Sequence, residues 1–313
     1  MTDYGHDLLF GSFITPSVAG AQQALRLSEL ADAEGLDLVT FQDHPYQASF
    51  LDTWTLMTWI AARTSRVRIV PNVINLPLRP PAVLARAAAS LDQLSGGRFE
   101  LGLGSGAFWD GIEAMGGRRL TAGQAVTALS EGIDIIRALW DTQTRGGARV
   151  RGDYYSVEGA KRGPAPAHPM GIWIGAYKPR MLALTGAKGD GWLPSLDYLP
   201  DGVDALPALN AHIDAGAQEA GRPAGAVRRL LNIMRAEFSA TGAGFLDGPP
   251  SMWAEQLADV ALTHGISGFI LGGDDATKTQ RFAAEVAPAV REIVAAARAR
   301  GGAETLRWFT PGA

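Results

Sequence analysis

Two short stretches carry residue types that could do chemistry. The first is Gln42-Asp43-His44-Pro45, directly after the apolar run Leu36 to Phe41. An imidazole titrates near neutral pH, so His44 can give a hydrogen bond or a proton to a substrate or to a ring nitrogen. Asp43 is close enough in sequence to orient that imidazole or to raise its pKa. The competing reading is a loop turn whose histidine caps a backbone carbonyl. The second stretch is Gly104-Ser105-Gly106, after the apolar run Arg98 to Leu103. Glycines there have no Cβ to hold off a flat or phosphorylated ligand and take positive φ freely. A Gly-x-Gly pair alone equally describes an ordinary strand-to-helix loop.

Further candidates lie at the ends of other apolar runs. Ile69-Val70-Pro71-Asn72-Val73-Ile74-Asn75-Leu76-Pro77 mixes prolines and asparagines into an apolar stretch. That suggests a bulge where a flat ring could lean on main chain, or simply the exit from a strand. In Gly175-Ala176-Tyr177-Lys178-Pro179-Arg180 a helix start with a cation in its first turn makes a phosphate seat or a solvated helix end. Gly248-Pro249-Pro250-Ser251 opens a helix in the same way. Phe108, Trp109 and Tyr177, beside run ends, are candidates for stacking on a ring, whereas Trp54, Trp59 and Trp192 are expected in the core.

Several chemistries are disfavoured. The chain has no cysteine, which removes disulfides, thiolate catalysis and Cys-ligated metals. Its histidines, at 6, 44, 168, 212 and 264, lack second ligands at helical or hairpin spacing, so no metal site is expected. His212 and His264 fall on helices, where solvated or capping roles suit them. Neither a Gly-x-Ser-x-Gly elbow nor a Gly-x-x-x-x-Gly-Lys-Ser/Thr loop occurs. A net charge of -4 argues against a nucleic-acid partner. No run approaches the roughly 18 apolar residues that span a bilayer, and no basic-then-apolar leader is visible. A soluble, cytoplasmic protein without a membrane partner is the expectation.

The elements that must position these residues alternate almost from end to end. Strands are expected at Leu8 to Ile14, Leu36 to Phe41, Val67 to Val73, Arg98 to Leu103, Ile172 to Ile174, Gly191 to Leu193, 228 to 238 and 268 to 271. Between them, helical spacing covers Ala21 to Ala33, Thr53 to Arg63, Pro80 to Leu94, Ala122 to Leu139, Pro179 to Ala187, 203 to 220, 251 to 264 and 278 to 300. Eight such repeats favour a parallel sheet closed into a (β/α)8 TIM barrel, an α/β fold occupying residues 1–313 as one domain. Residues 141–169 break the rhythm and read as a surface excursion containing a hairpin-like Val150 to Val157. Gly301 to Ala313 reads as a surface tail. In such a barrel the ligand site is built from loops at the carboxyl ends of the strands.

Taken together, Asp43-His44-Pro45, the segment Leu91-Asp-Gln-Leu-Ser-Gly-Gly-Arg-Phe-Glu-Leu-Gly-Leu-Gly-Ser-Gly106, Ile172-Trp-Ile-Gly175 with Pro179-Arg180, and Gly189-Asp-Gly-Trp192 resemble the bacterial luciferase-like monooxygenases and reductases. The resemblance covers nearly the whole chain. It implies a flavin-type cofactor at the barrel mouth, the deazaflavin F420 or alternatively FMN, and a small-molecule substrate. His44 and Asp43 look like the catalytic pair of the F420-dependent branch. The implied cofactor residues are Asn72, Val73, Asn75, Gly104, Ser105, Gly106, Ala107, Gly175, Ala176 and Tyr177. In that branch a non-proline cis peptide buttresses the ring, and the matching bond is Asn72-Val73.

One departure concerns the residue after Gly106. Relatives acting on sugar phosphates carry an acid there, and this chain has Ala107, which disfavours a glucose 6-phosphate type of substrate. Glu113 is near in sequence but need not reach the site. The expected activity is hydride transfer between F420 and an organic substrate. The alternatives are an FMN-dependent monooxygenase using reduced flavin and dioxygen, and a barrel that binds flavin without turnover. The resemblance also implies a homodimer, with helices Thr53 to Ala62 and Ala82 to Leu94 as a possible interface.

Overall fold

Runs of Val, Ile, Leu and Phe that are apolar on both faces suit parallel strands covered by helices. The computed structural model describes residues 2–242 and 244–308. Its main sheet contains the strands Leu9–Phe13, Leu38–Phe41, Arg68–Pro71, Ile74–Asn75, Leu101–Gly104, Ile172–Ile174, Gly191–Trp192, Arg228–Ile233 and Gly268–Gly272. Arg68–Pro71 and Ile74–Asn75 are two halves of one strand, the first paired with Leu38–Phe41 and the second with Leu101–Gly104. The nine segments therefore make eight barrel strands, all parallel. Closure is completed where the Ile69 N–H donates to the Arg98 carbonyl (2.8 Å) and the Glu100 N–H to the Ile69 carbonyl (3.2 Å). The interruption in the third strand coincides with Asn72-Val73, whose peptide bond is cis, as the resemblance implies.

Inside the barrel, Phe13, Leu38, Val70, Trp173, Leu193, Leu230 and Ile270 pack as one cluster, separate from the larger core beneath the helices. Space there is tight. A Cβ at Gly102 would lie 1.8 Å from the Pro71 carbonyl oxygen, so only glycine lets the third and fourth strands approach this closely.

The amino end of the fourth strand is held by side chains. Arg98 donates to the carbonyls of Ser95 (2.8 Å), Val67 (3.0 Å) and Ala61 (2.8 Å), tying the turn to the preceding helix and strand. Gly96, in the left-handed region at φ 71°, ends the helix Pro81–Ser95. Much of the glycine-rich stretch that begins at Ser95 thus builds the barrel end remote from the strand carboxyl termini.

Several elements depart from expectation. The seventh strand ends at Ile233 rather than near 238, because Met234 and Arg235 turn out to the barrel mouth. The helix expected from 203 starts as the single turn Gly202–Ala205 and becomes α-helical at Leu206. In the excursion, the antiparallel strands are Ala148–Val150 and Val157–Ala160, so most of the expected hairpin segment is the loop between them. That loop is drawn in by Glu131, whose carboxylate accepts the N–H groups of Asp153 (2.8 Å), Tyr154 (2.9 Å) and Tyr155 (2.9 Å). Residues 301–308 continue the last helix instead of forming a tail, and residues 309–313 of that expected tail lie outside the described residues. No described helix is long and apolar enough to cross a membrane.

The far end of the excursion is clasped by a histidine between two buried carboxylates. His168 Nδ1 lies 2.9 Å from Asp92 Oδ1, and its Nε2 lies 3.2 Å from Glu100 Oε1. The hydrogen bond to Glu100, together with Asp92, raises the His168 pKa above the usual 6.5. A histidine whose folded pKa is raised stabilises the fold fully below its unfolded pKa, and that contribution disappears as pH climbs through the folded value. His168→Gln should therefore lower the melting temperature more at pH 6 than at pH 8.5, measured by thermal denaturation. Equal losses at both pH values would contradict the clasp.

Candidate active site

A cavity of about 980 Å³ opens at the carboxyl ends of the strands. Its lining includes every residue singled out for the site: Asp43, His44, Asn72, Val73, Asn75, Gly104, Ser105, Gly106, Ala107, Gly175, Ala176 and Tyr177. Of the two expected phosphate seats, Lys178, Pro179 and Arg180 line it, whereas Gly248 to Ser251 do not. Phe108, Trp109 and Tyr177 also face it. Trp192 is fully buried, but Trp59, expected in the core, is 59% exposed. Glu113 bonds Arg119 (2.8 Å) and lies outside the lining.

Asp43 and His44 do not act as a hydrogen-bonded pair. The buried Asp43 carboxylate accepts from Arg79 Nε (2.9 Å) and Nη2 (2.9 Å) and from the Asn75 N–H (3.0 Å). Arg79 also reaches Asp52 (2.7 Å), whose other oxygen caps the helix Thr53–Ala61 through Thr55. With its oxygens so engaged, Asp43 fixes the loop and does not orient the imidazole. That role falls to Tyr46, whose hydroxyl lies 2.6 Å from His44 Nδ1. Burial lowers the His44 pKa, and the charge of Asp43 opposes this without reversing it, contrary to the raised value expected. Burial pushes the Tyr46 phenol up to about 12, so it keeps its proton. If the Tyr46 hydroxyl donates to Nδ1 of the neutral ring, the imidazole N–H sits on Nε2.

The glycines prove to have two tasks. A Cβ at Gly104 would come within 2.7 Å of Val73 Cγ2, and one at Gly175 within 3.3 Å of the same atom. Their bareness makes room for Val73 as well as for a ligand. Gly106 sits at φ 90°, where its missing Cβ would meet Pro77 and Ile112. Beside Val73, the Asn72 amide donates to Asn232 Oδ1 (2.7 Å), and Asn232 donates in turn to Ser195 Oγ (3.2 Å). The Tyr177 hydroxyl accepts the Ser195 N–H (2.8 Å). This chain of polar groups ties the third, sixth and seventh strand ends together.

Two features fit a planar, anionic cofactor. Asn75 is 6% exposed and lines the cavity, and its Oδ1 has no hydrogen-bond partner among the described residues. A buried acceptor left unmet suits a ring N–H. Lys178 and Arg180 are exposed at the start of the helix Pro179–Lys188 and pair with no described carboxylate. Arg180 Nη1 would lie 3.1 Å from a Cβ on Gly123, at the start of the helix Ala122–Trp140, so two helix amino ends and two cations converge.

Residues 5–236 match the model of a family described as luciferase-like monooxygenase. The chain belongs to this family. It is 30% identical over 247 residues to an F420-dependent glucose-6-phosphate dehydrogenase of Kineococcus radiotolerans, covering 74% of this chain and 69% of that protein. With a 5,10-methylenetetrahydromethanopterin reductase of Archaeoglobus fulgidus it shares 31% identity over 196 residues, 62% of this chain and 54% of the other. Among solved structures, an F420-dependent secondary alcohol dehydrogenase bound to an F420-acetone adduct superposes with a TM-score of 0.78 at 18% identity, over 91% of this chain and 99% of that one. That likeness establishes the barrel fold, and family membership makes the protein an oxidoreductase.

Sequence reasoning missed Tyr46 and Arg79. Tyr46 stands only two residues beyond His44 and could have been considered as its partner, but Arg79 is 36 residues from Asp43 and no local pattern links them. If Tyr46 holds the tautomer, nitrogen-15 NMR should show His44 titrating below 6.5 with Nδ1 unprotonated. Tyr46→Phe should raise that midpoint and mix the tautomers. A wild-type midpoint at or above 6.5 would contradict the assignment.

Proposed function

We propose that this protein is an F420-dependent oxidoreductase exchanging a hydride between the deazaflavin and an organic substrate. The observation that carries the reading is the convergence on one cavity of a neutral imidazole, the unmet Asn75 acceptor and the unpaired cations Lys178 and Arg180. The names of similar proteins add support, since both the dehydrogenase from Kineococcus and the structural neighbour are F420-dependent.

When bound, the coenzyme supplies two electrons as a hydride, and the accompanying proton is exchanged at the substrate's heteroatom. The residues here do the holding. Asn75 offers its free oxygen to a ring N–H, while the main chain at Asn72 and Val73 supports the ring. Gly104, Ser105, Gly106 and Ala107 form one wall, and Gly175, Ala176 and Tyr177 another. Lys178 and Arg180 take the anionic arm. His44, with Tyr46 on Nδ1, directs its Nε2–H to a substrate oxygen and polarises it. Asp43 acts through the loop it fixes and is a positioning residue.

Titration of the purified protein with F420, and separately with FMN, tests this reading. F420 should bind in the micromolar range or tighter, and Arg180→Ala should weaken it about tenfold, or roughly 1.4 kcal/mol. Tight FMN binding without F420 binding, together with dioxygen uptake when reduced FMN is supplied, would instead favour the monooxygenase reading.

The exposed side chains Trp59 (59%), Val83 (67%) and Leu94 (83%) lie on the neighbouring helices Thr53–Ala61 and Pro81–Ser95 and support a homodimer through that face. Light scattering at micromolar concentration should give twice the chain mass, and Trp59→Lys with Val83→Glu should halve it. A wild-type monomer would refute the dimer.

A further inference from the structure

We infer that the substrate is an uncharged, largely apolar compound with a carbonyl group, or the alcohol formed by its reduction, held against the rings of Tyr46 and Phe108 beside His44. This rests on the reading of the cavity as an F420 site. Phe108 lines the cavity yet is 57% exposed. Its ring meets His44 edge-on at 5.3 Å between centroids, and Tyr46 lies 6.0 Å away. Covering an exposed phenylalanine ring removes apolar surface from water, which favours binding. An apolar face presented at this corner is therefore a binding surface for a flat or alicyclic body, with edge and face contacts adding to the area term.

Charge is distributed the other way. Beside His44, the Asp43 carboxylate is closed off by Arg79, and His44 itself is neutral because burial lowers its pKa. Asp197 and the exposed Arg235, both of which also line the cavity, stand 3.8 Å apart and offset one another. The unpaired cations Lys178 and Arg180 follow the fifth strand, where the cofactor's anionic arm occupies them. A phosphate or carboxylate brought to the His44 corner would lose water and gain no cation, a costly exchange. At this corner the His44 Nε2–H stands among the rings of Tyr46 and Phe108, and this suits a carbonyl oxygen. Reduction then adds a hydride from the reduced deazaflavin to the carbonyl carbon and a proton from solvent to the oxygen. Oxidation of the alcohol runs the same balance in reverse.

Acetophenone and 4-acetylbenzoate differ by one carboxylate and test this directly. Their binding is measured by saturation-transfer NMR with and without F420, and glucose 6-phosphate is tested in parallel. Acetophenone should bind at least tenfold more tightly than either anion. Phe108→Ala should weaken it about tenfold, and Phe108→Arg should close or reverse the gap in favour of 4-acetylbenzoate. An anion that binds wild-type protein as tightly as acetophenone, acetophenone binding indifferent to both Phe108 variants, or no ketone binding at all would overturn the inference. F420 titration of the same samples separates the two readings. Protein that takes up F420 but ignores acetophenone refutes the substrate class alone. Protein that fails to bind F420 refutes the cofactor reading, and the ketone measurements made without coenzyme still decide the substrate.

Discussion

A single buried carboxylate organises the mouth of this barrel. Asp43 receives Arg79 through two nitrogens and the main chain of Asn75, so the ends of the second and third strands and the turn that follows are joined at one point. Through Arg79 the linkage extends to Asp52 and the start of the next helix. Removing one partner of such a buried pair leaves an uncompensated charge and typically costs about 3–5 kcal/mol. Burial lowers the pKa of the adjacent histidine against the opposing charge of Asp43, and with Asp43 engaged by Arg79 the imidazole takes a tyrosine as its partner. Two neighbours in sequence thus have separate tasks, one mechanical and one chemical.

The same separation runs along the barrel axis. At the amino ends of the strands, Arg98 and the clasp of Asp92, His168 and Glu100 secure turns and the excursion with charged side chains. At the carboxyl ends, rings, glycines and backbone form most of the cavity, with Asp43 buried behind Arg79 and the cations Lys178 and Arg180 at the start of one helix. The glycine-rich stretch from Ser95 to Gly106 passes from one regime to the other. Its first residues end a helix and anchor a strand, and its last ones wall the cavity.

How far the sequence could be read follows from the range of the interactions. The helix Ala21–Ala33 and the strand Ile172–Ile174 were readable to the residue, because apolar spacing and glycine punctuation are local signals. The barrel followed from counting repeats, and the residues lining the cavity followed from the rule that strand carboxyl ends build the site. The partners of those residues did not follow. Arg79 reaches Asp43 only once the third strand lies beside the second, and Asn72 meets Asn232 across 160 residues of chain. Apolar spacing continues past Ile233 and predicts a longer seventh strand, while the backbone turns outward there. The position of the excursion's hairpin is not legible locally for a related reason, since the pull of Glu131 on its loop comes from another element.

Val73 lies between two bare positions, Gly104 and Gly175, and its methyl groups occupy the room that side chains there would have taken. The depth of the cavity floor is therefore governed by one adjustable spacer. Shortening Val73 would open a trough flanked by main chain on both sides without disturbing either strand. A larger residue at 104 could be admitted only if Val73 became smaller, so these positions form a linked set for reshaping what the barrel accepts.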